Sequence, residues 1–310
     1  MATRVLTHPM SHLHEMPRGH PECPARAAAV EAALAGPAFA TLDRAEAPAA
    51  AEVEVLRCHP QSHIDALRAA LPASGTRALD ADTHVGAHSV DAALRGVGAA
   101  CAAVDAVIAG EIANAFCALR PPGHHAETEQ PMGFCLFGTI AIAAKRALDH
   151  HGLTRVAVVD FDVHHGNGTQ ALLWDEPRVR FVSSHQMPLW PGTGAARDRG
   201  AHGQITNIPL PPGTRSAAFR AAWAPALAAL DAWAPELVLV SAGFDGHAAD
   251  PLAQMALEEE DFVWITRALC DLAAAHAGGR LVSVLEGGYD LDALAACTAA
   301  HVKVLMEAAK

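Results

Sequence analysis

The stretch RVAVVDFDVHHGNG, residues 155–168, decides how the rest of the chain is read. Its opening VAVV is apolar on both faces, which fits a strand buried in a parallel sheet with helices above and below. A polar segment follows at once, at the carboxyl end of that strand. This is the edge where open parallel sheets bind ligands. In extended backbone, residues two apart face the same way, so Asp160, Asp162 and His164 point to one side.

The pattern recurs on either side of this stretch. RVLTH at 4–8, ANAFCAL at 113–119, RVRFVSS at 178–184, ELVLVSA at 236–242 and RLVSVLE at 280–286 read as further strands. Alanine-rich helical stretches lie between them, near 22–35, 88–109, 137–151, 216–232, 258–277 and 291–309. No linker or internal repeat divides the chain. The expectation is one α/β domain over 1–310, with a mainly parallel sheet and helices on both faces. After ANAFCAL comes RPPGHHA, after ELVLVSA comes GFDGH, and after RLVSVL comes EGGY. Titratable residues therefore gather at the carboxyl ends of four strands.

With 51% hydrophobic and 18% charged residues, the 310-residue chain can bury a large core. Its net charge of -12 argues against a nucleic-acid partner and favours cationic substrates. The seven cysteines are odd in number and form no C-x-x-C pair, and several sit in apolar runs. They read as buried thiols in a reducing compartment, not as a disulfide frame or thiolate zinc site. The N-terminal MATRVLTHPM has no apolar signal core, and no run is apolar enough for a membrane span. The expectation is a cytoplasmic protein.

Asp162 and His164 alone make a weak metal-binding tripeptide. Asp245 of GFDGH supplies a third ligand from another strand end. Two carboxylates, one imidazole and an open position for water describe a catalytic metal site. Such a shell cancels the charge of a dication, so bound water is acidified less than in a three-histidine site. A general base is then needed, and His124 and His125 in the PPGHHA turn are the candidates. Asp160 and Asn167 are the candidate orienting partners. A carboxylate holds its histidine toward the cation, and an amide leaves its histidine freer to exchange a proton. Tyr289, the single tyrosine, follows two glycines in LEGGY and can donate to a tetrahedral oxyanion. GNG at 166–168 and PGTG at 191–194 lack phosphate-loop spacing, and no serine sits in a G-x-S-x-G elbow. Asp80 and Asp82 in ALDADTH either bind a substrate amide or cap the following helix.

RPPGHHA, GFCLF, DFDVHHGNGTQ, PGTG, SAGFDGH and LEGGY, in this order, resemble the zinc-dependent histone deacetylase and acetylpolyamine amidohydrolase superfamily, in particular the bacterial class II deacetylase-like amidohydrolases. HPECPAR at 20–26 is similar to the N-terminal signature of that family. The resemblance implies an arginase-like α/β fold, with one zinc on Asp162, His164 and Asp245. It implies His125 as the proton carrier with Asn167 behind it, His124 as its electrostatic neighbour with Asp160 behind it, and Tyr289 as the carbonyl-polarising phenol. It places Gly133, Phe134, Trp190, Leu252 and Gly287 along the substrate tunnel, and Asp80, within one position, as the acid that grips the substrate backbone. A structural potassium is implied on Asp160, Ser183, Ser184 and the main chains of Asp162 and His164.

The implied substrate is an acylated amine, acetyl-lysine or an acetylpolyamine, and hydroxamates are the implied inhibitors. Two positions depart from the family pattern. Gly138 replaces the usual asparagine after GFCLF, and Leu252 stands where class II polyamine deacetylases carry a glutamate, which favours acyl-lysine. A binuclear manganese ureohydrolase is disfavoured because Gly166 stands where a further carboxylate would be needed. A silent acyl-ligand-binding relative would be expected to have lost Tyr289 or one of the paired histidines.

Overall fold

A computed structural model describes all 310 residues. The strands are β1 (Thr3–Thr7), β2 (Asp43–Glu46), β3 (Thr76–Ala78), β4 (His84–Gly86), β5 (Asn114–Cys117), β6 (Val156–Asp160), β7 (Val179–Gln186), β8 (Ile205–Leu210), β9 (Leu237–Ala242) and β10 (Leu281–Leu285). Eight of them form one sheet in the order β2-β1-β5-β10-β9-β6-β7-β8, and every pairing is parallel. β3 and β4 make a separate antiparallel hairpin.

The parallel α/β expectation holds, and all six expected strands and six expected helices are present. In β6, Ala157 and Val159 face one apolar layer while Val156 and Val158 face the other. The first layer is closed by helices Ala25–Leu34, Ser216–Trp233, Glu259–His276 and Leu291–Ala308. The second is closed by Ser89–Ile108 and Thr139–Asp149. Side chains on both faces of the central strands are thus out of water, which is why those strands read as continuous apolar runs. No helix is long and apolar enough to cross a membrane. All seven cysteines are free, and five of them are buried.

Four strands (β2, β8 and the β3–β4 hairpin) and several short helices lie outside the expected elements. β2 reads DRAE and lies at one edge, so it has no apolar run to betray it. β8 reads ITNIPL and forms the other edge, where its proline is tolerated. The segment after ALDADTH is β4, not a helix, so Asp80 and Asp82 cap no helix there.

Candidate active site

In the sheet order, β5, β10, β9 and β6 are consecutive. The four polar clusters that follow them therefore meet above one stretch of sheet edge. One ligand atom from each of Asp162, His164 and Asp245 can be chosen so that all lie within 4.8 Å of one another. His164 Nδ1 is 3.0 Å from Asp245 Oδ2 and 3.2 Å from Asp162 Oδ1. Backbone amides fix both carboxylates: Val163 donates to Asp245 Oδ1 at 2.9 Å, and Gly287 donates to Asp162 Oδ2 at 2.8 Å. Glycine is needed beside them. A Cβ on Gly243 would stand 2.0 Å from Asp162 Oδ2, and one on Gly287 would stand 2.1 Å from Asp245 Oδ2.

The three groups of this trio perturb one another's titration. Burial, aided by the charge of Asp162, lifts the Asp245 carboxyl to about 7. Burial works against a charged His164, yet its two carboxylate partners raise the imidazole to about 10. With no cation present, buried acids retain protons that a divalent ion would displace. A set of two carboxylates and one imidazole Nδ1 fits zinc.

The paired histidines diverge in state. His124 Nδ1 lies 2.9 Å from Asp160 Oδ2. Burial alone would lower its pKa, but the charges of Asp162 and Asp160 outweigh this and hold it well above the ordinary value. His125 Nδ1 lies 2.8 Å from Asn167 Oδ1. Burial and the neighbouring imidazoles His124 and His164 push it well below the ordinary value. The ring centroids of His124 and His125 are only 3.9 Å apart. The two imidazoles are thus pulled in opposite directions, His124 toward the charged form and His125 toward the neutral one, and His125 has Nδ1 engaged and Nε2 left over.

His125, His164 and Tyr289 line a cavity of about 440 Å³, together with Gly133, Phe134, Leu189, Trp190 and Leu252. His164 is 8% exposed and Trp190 40% exposed, which sets the floor and the mouth. Gly133 (φ 55°) brings backbone against His125, because a Cβ there would lie 2.5 Å from both His125 and Trp190. Trp190 is carried by a loop that two buried histidines pin. His165 bonds Thr193 Oγ1 at 2.8 Å, and His185 Nε2 donates to Gly194 O at 2.9 Å.

The structure separates the two aspartates that the sequence left open. Asp80 is exposed, and its Oδ1 accepts the backbone N–H groups of Asp82 and Thr83, closing its own turn. Asp82 lines the cavity instead, and Asp80 does not. At Gly138 a Cβ would meet Leu172 Cδ1 at 2.2 Å, so a larger residue there would require that leucine to turn away. Ser183 and Ser184 are buried in β7, with Ser183 in register with Asp160 of β6.

Several supporting residues were not singled out from the sequence. Glu286 lies beneath the PPGHHA turn, where its Oε2 accepts the N–H groups of Gly123 (2.7 Å) and His124 (3.2 Å) and its Oε1 accepts from Ser241 Oγ (2.9 Å). Arg26 of HPECPAR is fully buried. It donates to Gly288 O at 2.7 Å and Glu286 O at 2.5 Å, and its guanidinium lies 4.9 Å from the Tyr289 ring centre. Arg26 and Arg120 both pair with buried Glu22. Burial raises the Glu22 carboxyl, but Arg120 and His14 overcome it and hold the group well below its ordinary range. Asp250 accepts the Tyr289 N–H at 2.7 Å. The available signal was position: Glu286 and Asp250 adjoin motifs already picked out, and Arg26 lies within one.

Comparison with known proteins finds relatives along nearly the whole chain. A histone deacetylase domain model matches residues 20–305. An uncharacterized protein of Synechocystis sp. is 43% identical over 298 residues, covering 94% of this chain and 96% of its own. The histone deacetylase-like amidohydrolase of Pseudomonas aeruginosa is 42% identical over 271 residues, covering 86% of this chain and 71% of its own. Among solved structures, the HDA15 HD domain superposes with a TM-score of 0.93 at 32% identity, over 99% of this chain and 88% of that one. The chain belongs to the histone deacetylase family.

Proposed function

We propose that this chain is a single-domain, zinc-dependent deacylase that hydrolyses the amide of acetyl-lysine or a similar acylated amine. One observation carries the reading: a carboxylate-backed and an amide-backed imidazole stand side by side next to a buried Asp-His-Asp trio at the floor of a cavity. Asp162, His164 and Asp245 would hold the ion, which when bound supplies Lewis acidity and an acidified water. His125 receives a proton from the attacking water on Nε2 and returns it to the departing amine. Cationic His124 favours negative charge beside it, and Asp160 keeps it in that state. Burial raises the Tyr289 phenol well above its ordinary pKa despite Arg26, so it stays protonated and donates to the oxyanion. Gly133, Phe134 and Trp190 sleeve the acyl-bearing chain, with Asp82 as the acidic group toward the substrate backbone. A structural potassium on Asp160, Ser183, Ser184 and the Asp162 and His164 carbonyls belongs to the same proposal.

The test is a panel of acetyl-lysine and trifluoroacetyl-lysine peptides beside acetylated putrescine and spermidine, with zinc-loaded protein. Cleavage of the peptides and inhibition by a hydroxamate are expected. Intact peptides with cleaved acetylpolyamines would reverse the substrate assignment.

Leu252 bears on that choice, since it puts an apolar side chain where a cationic substrate would want a carboxylate. Leu252→Glu should shift the ratio of kcat/KM for acetylpolyamine over peptide upward by about 10- to 100-fold, the worth of one charge-assisted contact. An unchanged ratio would remove Leu252 from substrate selection.

Gly287→Ala should strip the site without touching a ligand. The new Cβ would press on both carboxylates, at 2.1 Å from Asp245 Oδ2 and 2.6 Å from Asp162 Oδ2. Metal analysis after dialysis should find the variant depleted of zinc relative to the parent.

A further inference from the structure

We infer that Glu127 is a positioning residue that selects the tautomer of His125 by fixing which way the Asn167 amide faces. The inference builds on the reading of His125 as the proton carrier. An amide has two ends of nearly the same shape and opposite hydrogen-bonding sense. Turned one way, Asn167 offers oxygen to His125 Nδ1, which must then carry hydrogen and leaves Nε2 as a lone pair. Turned the other way, it offers N–H, so that Nδ1 becomes the acceptor and Nε2 carries the hydrogen. In that state a neutral His125 has no basic nitrogen facing the cavity. An aspartate would face no such choice, because both of its oxygens accept.

The surroundings of Asn167 remove the ambiguity. Its Nδ2 donates to Glu127 Oε1 at 2.8 Å, with weaker approaches to His125 O at 3.5 Å and Met132 Sδ at 3.4 Å. All three are acceptors, and the carboxylate is the strong one. Reversing the amide would set its oxygen against that carboxylate. The backbone that carries Glu127 is itself held in place. Glu127 N donates to Gln130 O at 3.0 Å, and His59 Nδ1 donates to Thr128 O at 3.1 Å. Asn167 is buried and opens the helix Asn167–Leu172, so its backbone offers no slack. The chain of command runs from Glu127 through Asn167 to His125, and Glu127 never touches the reacting atoms.

Zinc-loaded full-length protein tests this as wild type, Glu127→Ala, Glu127→Gln, Asn167→Asp and the Asn167→Asp/Glu127→Ala double variant. Turnover is followed on whichever acylated amine the wild type cleaves. Nitrogen-15 NMR of histidine-labelled protein reads the tautomer directly, with His125 assigned by His125→Gln. Glu127→Ala should lower kcat by about tenfold with KM nearly unchanged, the scale of losing an outer partner of an active-site imidazole. It should also show His125 with hydrogen on Nε2 in part of the population. Glu127→Gln, whose amide oxygen still accepts, should recover most of the loss. In the Asn167→Asp background the sign should reverse, since removing Glu127 there relieves a repulsion between two carboxylates. The inference is overturned if Glu127→Ala leaves His125 wholly in the Nδ1–H form. It is also overturned if Glu127→Gln is as damaging as Glu127→Ala, or if the loss is the same in both backgrounds. A wild type that cleaves no acylated amine would defeat the deacylase reading alone, and the NMR arm would still decide the role of Glu127.

Discussion

Tyr289→Phe is expected to reduce kcat by roughly 10²- to 10³-fold, the usual loss when one oxyanion donor is removed. The substitution deletes a single oxygen. The ring keeps its edge contact with Phe134, at 5.9 Å between centroids, and its stacking under Arg26. Asp250 still accepts the backbone N–H of residue 289. KM, zinc content and melting temperature should therefore change little, and the loss should appear in turnover alone. Because burial holds the phenol protonated well past its ordinary range, the ratio of variant to parent should be flat between pH 6 and about pH 9. Full turnover by the phenylalanine variant would assign oxyanion stabilisation to another group.

Removing the metal is the second large effect. Chelation should abolish turnover, and readdition of zinc should restore it. The pH dependence of zinc affinity is fixed in sign by the metal-free site. His164 there keeps its proton up to about 10, and Asp245 keeps its own up to about 7. Both must be lost for the ion to bind, so affinity should rise with pH, by roughly one to two decades per unit near neutrality. The same shifts act on the metal-free fold. Both folded-state values lie above the ordinary ones, so the stability they contribute is present at low pH. It drains as pH climbs through about 7 for Asp245 and about 10 for His164. The difference in unfolding free energy between zinc-loaded and stripped protein should therefore widen from pH 6 to pH 9, reaching about 4 kcal/mol at a zinc concentration a thousandfold above Kd. A gap that narrowed with pH would mean that the trio does not hold the ion as drawn.

The sequence was readable where burial is symmetric. β6, β9 and β10 are wholly buried on both faces, and their apolar runs announce them. The edge strand β2 is half exposed and carries Asp43, Arg44 and Glu46, so periodicity had nothing to find. The same limit applied around the site. Asp162, His164, Asp245 and the histidine pair stand in short motifs at strand ends, and local spacing suffices to pick them out. Asp80 and Asp82 differ only in which one closes the turn, a matter of backbone geometry two residues long. Glu22, Arg26 and Arg120 matter through partners up to 262 positions away, and no local pattern carries that information.

β10 also has a bearing on how the molecule comes into being. It is the last strand in the chain, yet it lies between β5 and β9 near the centre of the sheet. Until it inserts, the strands that precede it form two separate ribbons, β2-β1-β5 and β9-β6-β7-β8, with no hydrogen bonds joining them. The histidine turn follows a strand of one ribbon, and all three residues of the Asp-His-Asp trio follow strands of the other. The trio can therefore form within one ribbon, but it faces the histidine turn, and gains the Gly287 N–H, only once β10 has inserted. Assembly of the sheet and assembly of the pocket are one event, and a late one.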